Sequence, residues 1–150
     1  MSTIWLTLHY HPALFSIEEI LPWDLTISIS GEVTHHVQVH HKNAENRWTV
    51  TPETRTGWIE SADIDAIENL IVEIGFENFK TNYSTTWEDQ EWHTLSVVGR
   101  DRKRRVHVDG ANGLAYEGVK DIQEFLRLWN FILTFAPEPK EVKRKHRRTV

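Results

Sequence analysis

From Ile4 to Tyr10 the side chains Ile4, Leu6, Leu8 and Tyr10 alternate with Trp5, Thr7 and His9, the period of a half-buried strand. Past a loop around His11-Pro12 and Leu21-Pro22, the segment from Trp23 to His41 sets Leu25, Ile27, Ile29, Val33, Val37 and Val39 on one parity. Ser30-Gly31 interrupts it, and a glycine able to take positive φ there predicts a β-hairpin. Asn43 to Asn46 breaks the chain again. Trp48 and Val50 then share a face, which predicts a fourth strand over Arg47 to Thr51.

The period changes after that. Ile64, Ile67, Leu70, Ile71 and Ile74 fall at helical spacing, with Ser61 as the expected N-cap, Asp63 and Asp65 at the positive end of the helix dipole, and Gly75 as the stop. Two more strands, Trp92 to Val98 and Arg105 to Asp109, flank the turn from Gly99 to Lys103. Val119, Ile122, Phe125, Leu126, Trp129, Ile132 and Leu133 form a second helical stripe that ends before Pro137 and Pro139. The order β-β-β-β-α-β-β-α predicts an α+β fold: an antiparallel sheet of about six strands with two amphipathic helices packed on one face. Residues 1–136 are expected to form one domain, and 137–150 a basic, mobile tail.

The run LTISISGEVTHH, the capped helix leading into IGFENFKTNY, the following hairpin and the terminal helix together resemble a bacterial family of domains of unknown function. The likeness spans roughly Trp23 to Phe135, and its marks are the Gly turn between two strands and the helix ending in Gly75-Phe76 with Tyr83 soon after. What the resemblance implies is an antiparallel sheet with helices, with no established activity. Many members of that family carry export signals. Here the N-terminal MSTIWLTLHYHP has neither a basic leader nor a long apolar stretch, so a cytoplasmic, non-membrane protein is expected.

Composition removes several chemistries. Cysteine is absent, so no disulfide, thiolate metal site or cysteine nucleophile exists. At 150 residues, 39% hydrophobic and 26% charged, the chain has ordinary globular usage and can bury roughly 70% of its unfolded surface. The formal charge of −5 conceals an asymmetry, because residues 137–150 hold six Lys or Arg against two Glu. The body is therefore more acidic than the whole, which disfavours nucleic acid as a partner except through the tail and the basic turn of Arg100, Arg102, Lys103, Arg104 and Arg105. No phosphate-cradling glycine loop, GxSxG or HExxH occurs, and no cofactor is implied.

Three constellations carry candidate chemistry. Nine histidines include His9 and His11, about 7 Å apart on one side of a strand, and His36 and His40 on the parity opposite the valines; these four are the candidate metal ligands. His35 and His41 share the valine parity, where burial would make charging them costly. The acidic loop with Glu88, Asp89, Glu91 and His93 offers carboxylates beside an imidazole, the raw material of hydrolase-like acid-base chemistry. Leu128, Phe131 and Phe135 widen the apolar stripe of the last helix beyond one sheet contact, which predicts a homodimer or partner interface there. The leading expectation is a non-enzymatic binding or protein-interaction module using the open sheet face or the last helix; the alternatives are the acidic-loop enzyme and a nucleic-acid accessory protein.

Overall fold

The computed structural model describes residues 3–13, 21–85, 90–99 and 103–138. Strand β1 (Ile4–His11) lies at the middle of a sheet completed by β2 (Trp23–Ser28), β3 (Glu32–Lys42), β4 (Trp48–Trp58), β5 (Asn82–Tyr83), β6 (Trp92–Val98) and β7 (Lys103–Asp109). The order across the sheet is β4-β3-β2-β1-β6-β7-β5. Every pairing is antiparallel except that of β5 with β7. The long-range pairing of β1 with β6 joins the N-terminal meander to the second hairpin.

The alternation read in the sequence is the alternation of the two faces from Leu6 and from Leu25 onward. Ile4 and Ile29 are exposed and Trp5 is buried, because a register shift between Ile4 and Leu6 interrupts the pleat and Ile29 lies beyond the end of β2. Leu6, Leu8, Leu25, Ile27, Val33, Leu95, Val106 and Val108 are all fully buried and belong to one hydrophobic core. Gly31 turns β2 into β3 with φ of +99°, and its carbonyl accepts from the Ile59 N–H at 2.8 Å, locking the hairpin to the chain beyond β4. A side chain at Gly31 would strike the Ile59 carbonyl oxygen, so both the positive φ and the close approach require glycine.

Helices α1 (Ser61–Glu73) and α3 (Lys120–Leu133) cover that face. The residue in the cap position of α1 is Glu60, one before the expected Ser61: its carboxylate accepts from the Asp63 N–H, and Asp63 accepts from the Glu60 N–H at 3.0 Å. This reciprocal capping box satisfies two donors that a serine would have served singly. Gly75, at φ +71°, ends the helix and leads into a 3-10 turn that seats Phe76 and Phe79 in the core.

Other differences from the sequence reading come from short or non-local elements. Strand β4 runs to Trp58, through Pro52, which an edge strand tolerates because its outer side needs no donor. Strand β5 is a two-residue parallel addition. A third helix, α2 (Ala111–Tyr116), follows Gly110 and packs on α3. Burial within one chain corrects the expectation for the last helix. Leu128 is fully buried within a single chain, alongside Ile122, Phe125, Trp129 and Ile132, because α3 meets the sheet, α1 and α2 together. Its apolar stripe is wide because it has three neighbours, and Leu128 cannot also serve a second copy. Phe131 and Phe135 are half-buried, packed edge to face at 5.3 Å, with Phe131 in a groove beside Ala66, Asn69 and Leu70 of α1. Pro137 packs over Gly57 of β4; the rest of the expected tail, from 139 on, lies outside the described residues.

Candidate ligand-binding face

With both long helices on one side, the other side of the sheet carries no helix among the described residues. Strand register decides what that face displays. Thr54, His36, Asp24, His9, Thr94, His107 and Asn82 stand in one line across all seven strands. A neighbouring line holds Thr56, Thr34, Thr26, Thr7, Ser96 and Arg105. Along the third, Gln38 faces Pro52 and His11 faces Trp92, which in turn faces Asp109. Residues directly opposite on adjacent strands have Cβ atoms about 4.5–5.5 Å apart, so the first two lines are continuous polar ladders, while the third is broken between Gln38 and His11.

Two of the imidazoles, those of His36 and His107, are locally tied. His36 Nδ1 and the Thr54 hydroxyl are 3.1 Å apart. His107 Nε2 lies 3.1 Å from the Asp109 carboxylate and Nδ1 lies 2.7 Å from the Thr94 hydroxyl. A carboxylate only accepts, so neutral His107 carries its proton on Nε2 and Thr94 donates to Nδ1. Hydroxyl, imidazole and carboxylate in series are the parts of an activated nucleophile, yet Thr94 is only 2% exposed and offers no reactive oxygen to a substrate.

A cleft of about 340 Å³ opens where β3 and β4 run on as a two-stranded ribbon past the start of β2. His36, Val37, Gln38 and Pro52 form its ribbon wall; Pro22, Trp23 and Asp24 come from β2 and its approach; His9, Tyr10 and His11 end β1; Trp92 closes it from β6. Trp92 is held flat against His11, with ring centroids 4.7 Å apart and planes within 5°, and rests obliquely on His107 at 5.5 Å. The floor is continuous with the core, because Tyr10 stacks on Trp23 and Trp23 meets Trp129 of α3, each at 5.6 Å. Apolar plates flanked by a carboxylate, an amide and imidazoles are what a small-ligand site requires: a body to cover and a few groups to orient it.

Three of the four metal candidates, His9, His11 and His36, line this cleft, while His40 sits farther along the ribbon with its ring edge-on to Trp48 at 6.0 Å. Among the described residues no three His, Asp or Glu side chains converge as a coordination shell needs. His35, on the opposite side of β3, is half-buried against Trp23, and burial together with nearby Arg55 lowers its pKa; His41 is exposed.

The acidic loop is not assembled into a site by what the structure describes. Glu88 and Asp89 lie outside the described residues. The Glu91 carboxylate accepts from the Asn112 N–H at 3.1 Å, tying the start of α2 to β6. His93 turns into the core, 4% exposed, ringed edge-on by Trp129 at 4.7 Å, Tyr10 at 5.0 Å and Phe125 at 6.4 Å. Burial and then the neighbouring His107 push its pKa down to about 4. A sealed, neutral imidazole is a packing group.

Trp92, Asp24, Pro22 and Pro52 were not legible as site residues, since only register brings them beside the histidines. Among the described residues no helix is long and apolar enough to cross a membrane. Comparison of the chain with protein families and with curated proteins returns no match.

Proposed function

We propose that this chain is a non-enzymatic binding module that takes its ligand on the helix-free face of the sheet, in the cleft walled by Trp92, His11, Pro22 and Pro52. The observation that carries this reading is the Trp92–His11 stack sharing one cleft with Asp24, His9 and His36 on a face that carries no helix among the described residues. A two-layer domain needs only a solvated outer face, and scattered lysines and glutamates would serve. Aromatic plates, two prolines and a ring of hydrogen-bonding groups around one concavity suit instead a ligand with a flat apolar body and polar edges. The cleft's described lining holds no serine, threonine or cysteine, and in this reading Asp24, His9 and His36 act as hydrogen-bonding groups that orient the ligand.

The test is a fragment screen read in the amide and imidazole spectra of the labelled chain. Planar heteroaromatic fragments with polar substituents are expected to shift resonances of His9, His11, Asp24, His36 and the Trp92 indole together. Hits that map to the α1–α3 groove, or to no common place, would remove the basis for the assignment.

A further inference from the structure

The free edge of β7 carries a second, separate concavity. β5 covers only His107 and Val108, so among the described residues the strand from Lys103 to Val106 has no neighbour on that side. The His107 N–H points across this edge to the Thr81 carbonyl at 2.9 Å, and strand alternation aims the Arg105 N–H the same way, past the end of β5. Lys103, Arg104, Arg105, Thr81, Asn82 and His107 line a cavity of about 610 Å³ there, sharing no residue with the cleft of the open face.

Charge makes this edge unusual. Among the described residues none of Lys103, Arg104 and Arg105 forms an ion pair, although the chain as a whole carries −5. Exposed Lys103 and Arg105 would be explained by the need to keep a bare strand edge from pairing with another chain. Arg104 would not. It is half-buried, and its Nε is sealed from solvent with no hydrogen-bond partner, an arrangement costly to a guanidinium unless something supplies the acceptor.

We propose that this edge binds the phosphate group of a small phosphorylated ligand, with Arg104 and Arg105 as the principal donors, Lys103 as a point charge, and the Thr81 and Asn82 side chains completing the shell. Guanidinium forks match phosphate oxygens in pairs, and an unpaired backbone N–H adds a donor of fixed direction. The acidic body selects the size of the ligand. A polynucleotide would have to run its charges over that body, whereas one phosphate meets only the local cations.

The experiment titrates the full-length chain with pyrophosphate while recording amide and arginine side-chain spectra. Saturable shifts confined to Thr81, Asn82, Arg104 and Arg105 are expected. The Lys103→Ala/Arg105→Ala variant, altered only at exposed positions, should keep the wild-type spectrum elsewhere and bind about tenfold or more weakly; Arg104→Lys should retain the fold and lose affinity because the fork is gone. No saturable shift at millimolar pyrophosphate, shifts centred elsewhere, or unchanged affinity in the double variant would each overturn the proposal. So would saturation by a short oligothymidylate at concentrations where pyrophosphate has no effect, which would make the edge a polynucleotide surface.

Discussion

Acidification should destabilise the protein through His93 in a way one substitution removes. In the folded chain the imidazole is enclosed by Tyr10, Phe125 and Trp129, its Nδ1 is buried without a partner, and its pKa falls from 6.5 to about 4. The folded state therefore refuses a proton that the unfolded chain accepts near pH 6.5. Stability is fully present above that value and is lost as pH falls toward 4, where the loss levels off. At 1.36 kcal/mol per pKa unit the interval amounts to about 3 kcal/mol. Urea unfolding of the wild type and of His93→Leu, a volume-conserving change that cannot titrate, should diverge over this range. The variant is expected to lose about 3 kcal/mol less between pH 7 and pH 4, because carboxylates common to both proteins cancel in the difference. His35, whose pKa is also lowered by burial, should leave a residual slope in the same direction in the variant. Parallel pH profiles for the two proteins, or a His93 titration midpoint near 6.5 in the imidazole spectrum, would refute the reasoning.

Leu128→Ala should cost about 3 kcal/mol in denaturant unfolding and leave the mass seen by light scattering unchanged, since the side chain is enclosed within one chain; a change of mass with unaltered stability would put it at an interface. Gly31→Ala should cost at least about 2 kcal/mol, because it combines positive φ with a clash against the Ile59 carbonyl, and a neutral result in thermal unfolding would contradict the hairpin geometry. Tyr83→Phe removes a hydroxyl that accepts from the Lys80 N–H at 3.0 Å and donates to Asp121 at 2.8 Å, and should cost about 1 kcal/mol in the same assay.

What was legible in the sequence was whatever repeats over several residues. Leu6 and Leu8, Leu25 and Ile27, and the stripes of α1 and α3 state their own period, and Gly31 and Gly75 mark their ends. The parity of His9, His11 and His36 likewise put them on the uncovered face. Helix α2, six residues with Gly113 inside, completes too few turns to show a period, and β5 exists only because β7 lies beside it. The error over Leu128 is of another kind: a stripe's width is a property of the helix, but whether neighbouring elements or a second copy fill it is decided by tertiary packing. The cleft was illegible for a related reason. Trp92 and Asp24 lie 68 positions apart in the chain and meet His9 and His11 only through the pairing of β1 with both β2 and β6.

The central claim, that the bare face holds a ligand against the Trp92–His11 stack, is tested most directly by one affinity. The strongest fragment from the screen is measured by titration calorimetry against the wild type and against Trp92→Ala, whose substitution lies at a 37% exposed position outside the core. Loss of the plate should weaken binding about tenfold or more, as removal of an aromatic anchor does. An unchanged affinity in a variant that still folds would show that the cleft is not where the ligand binds.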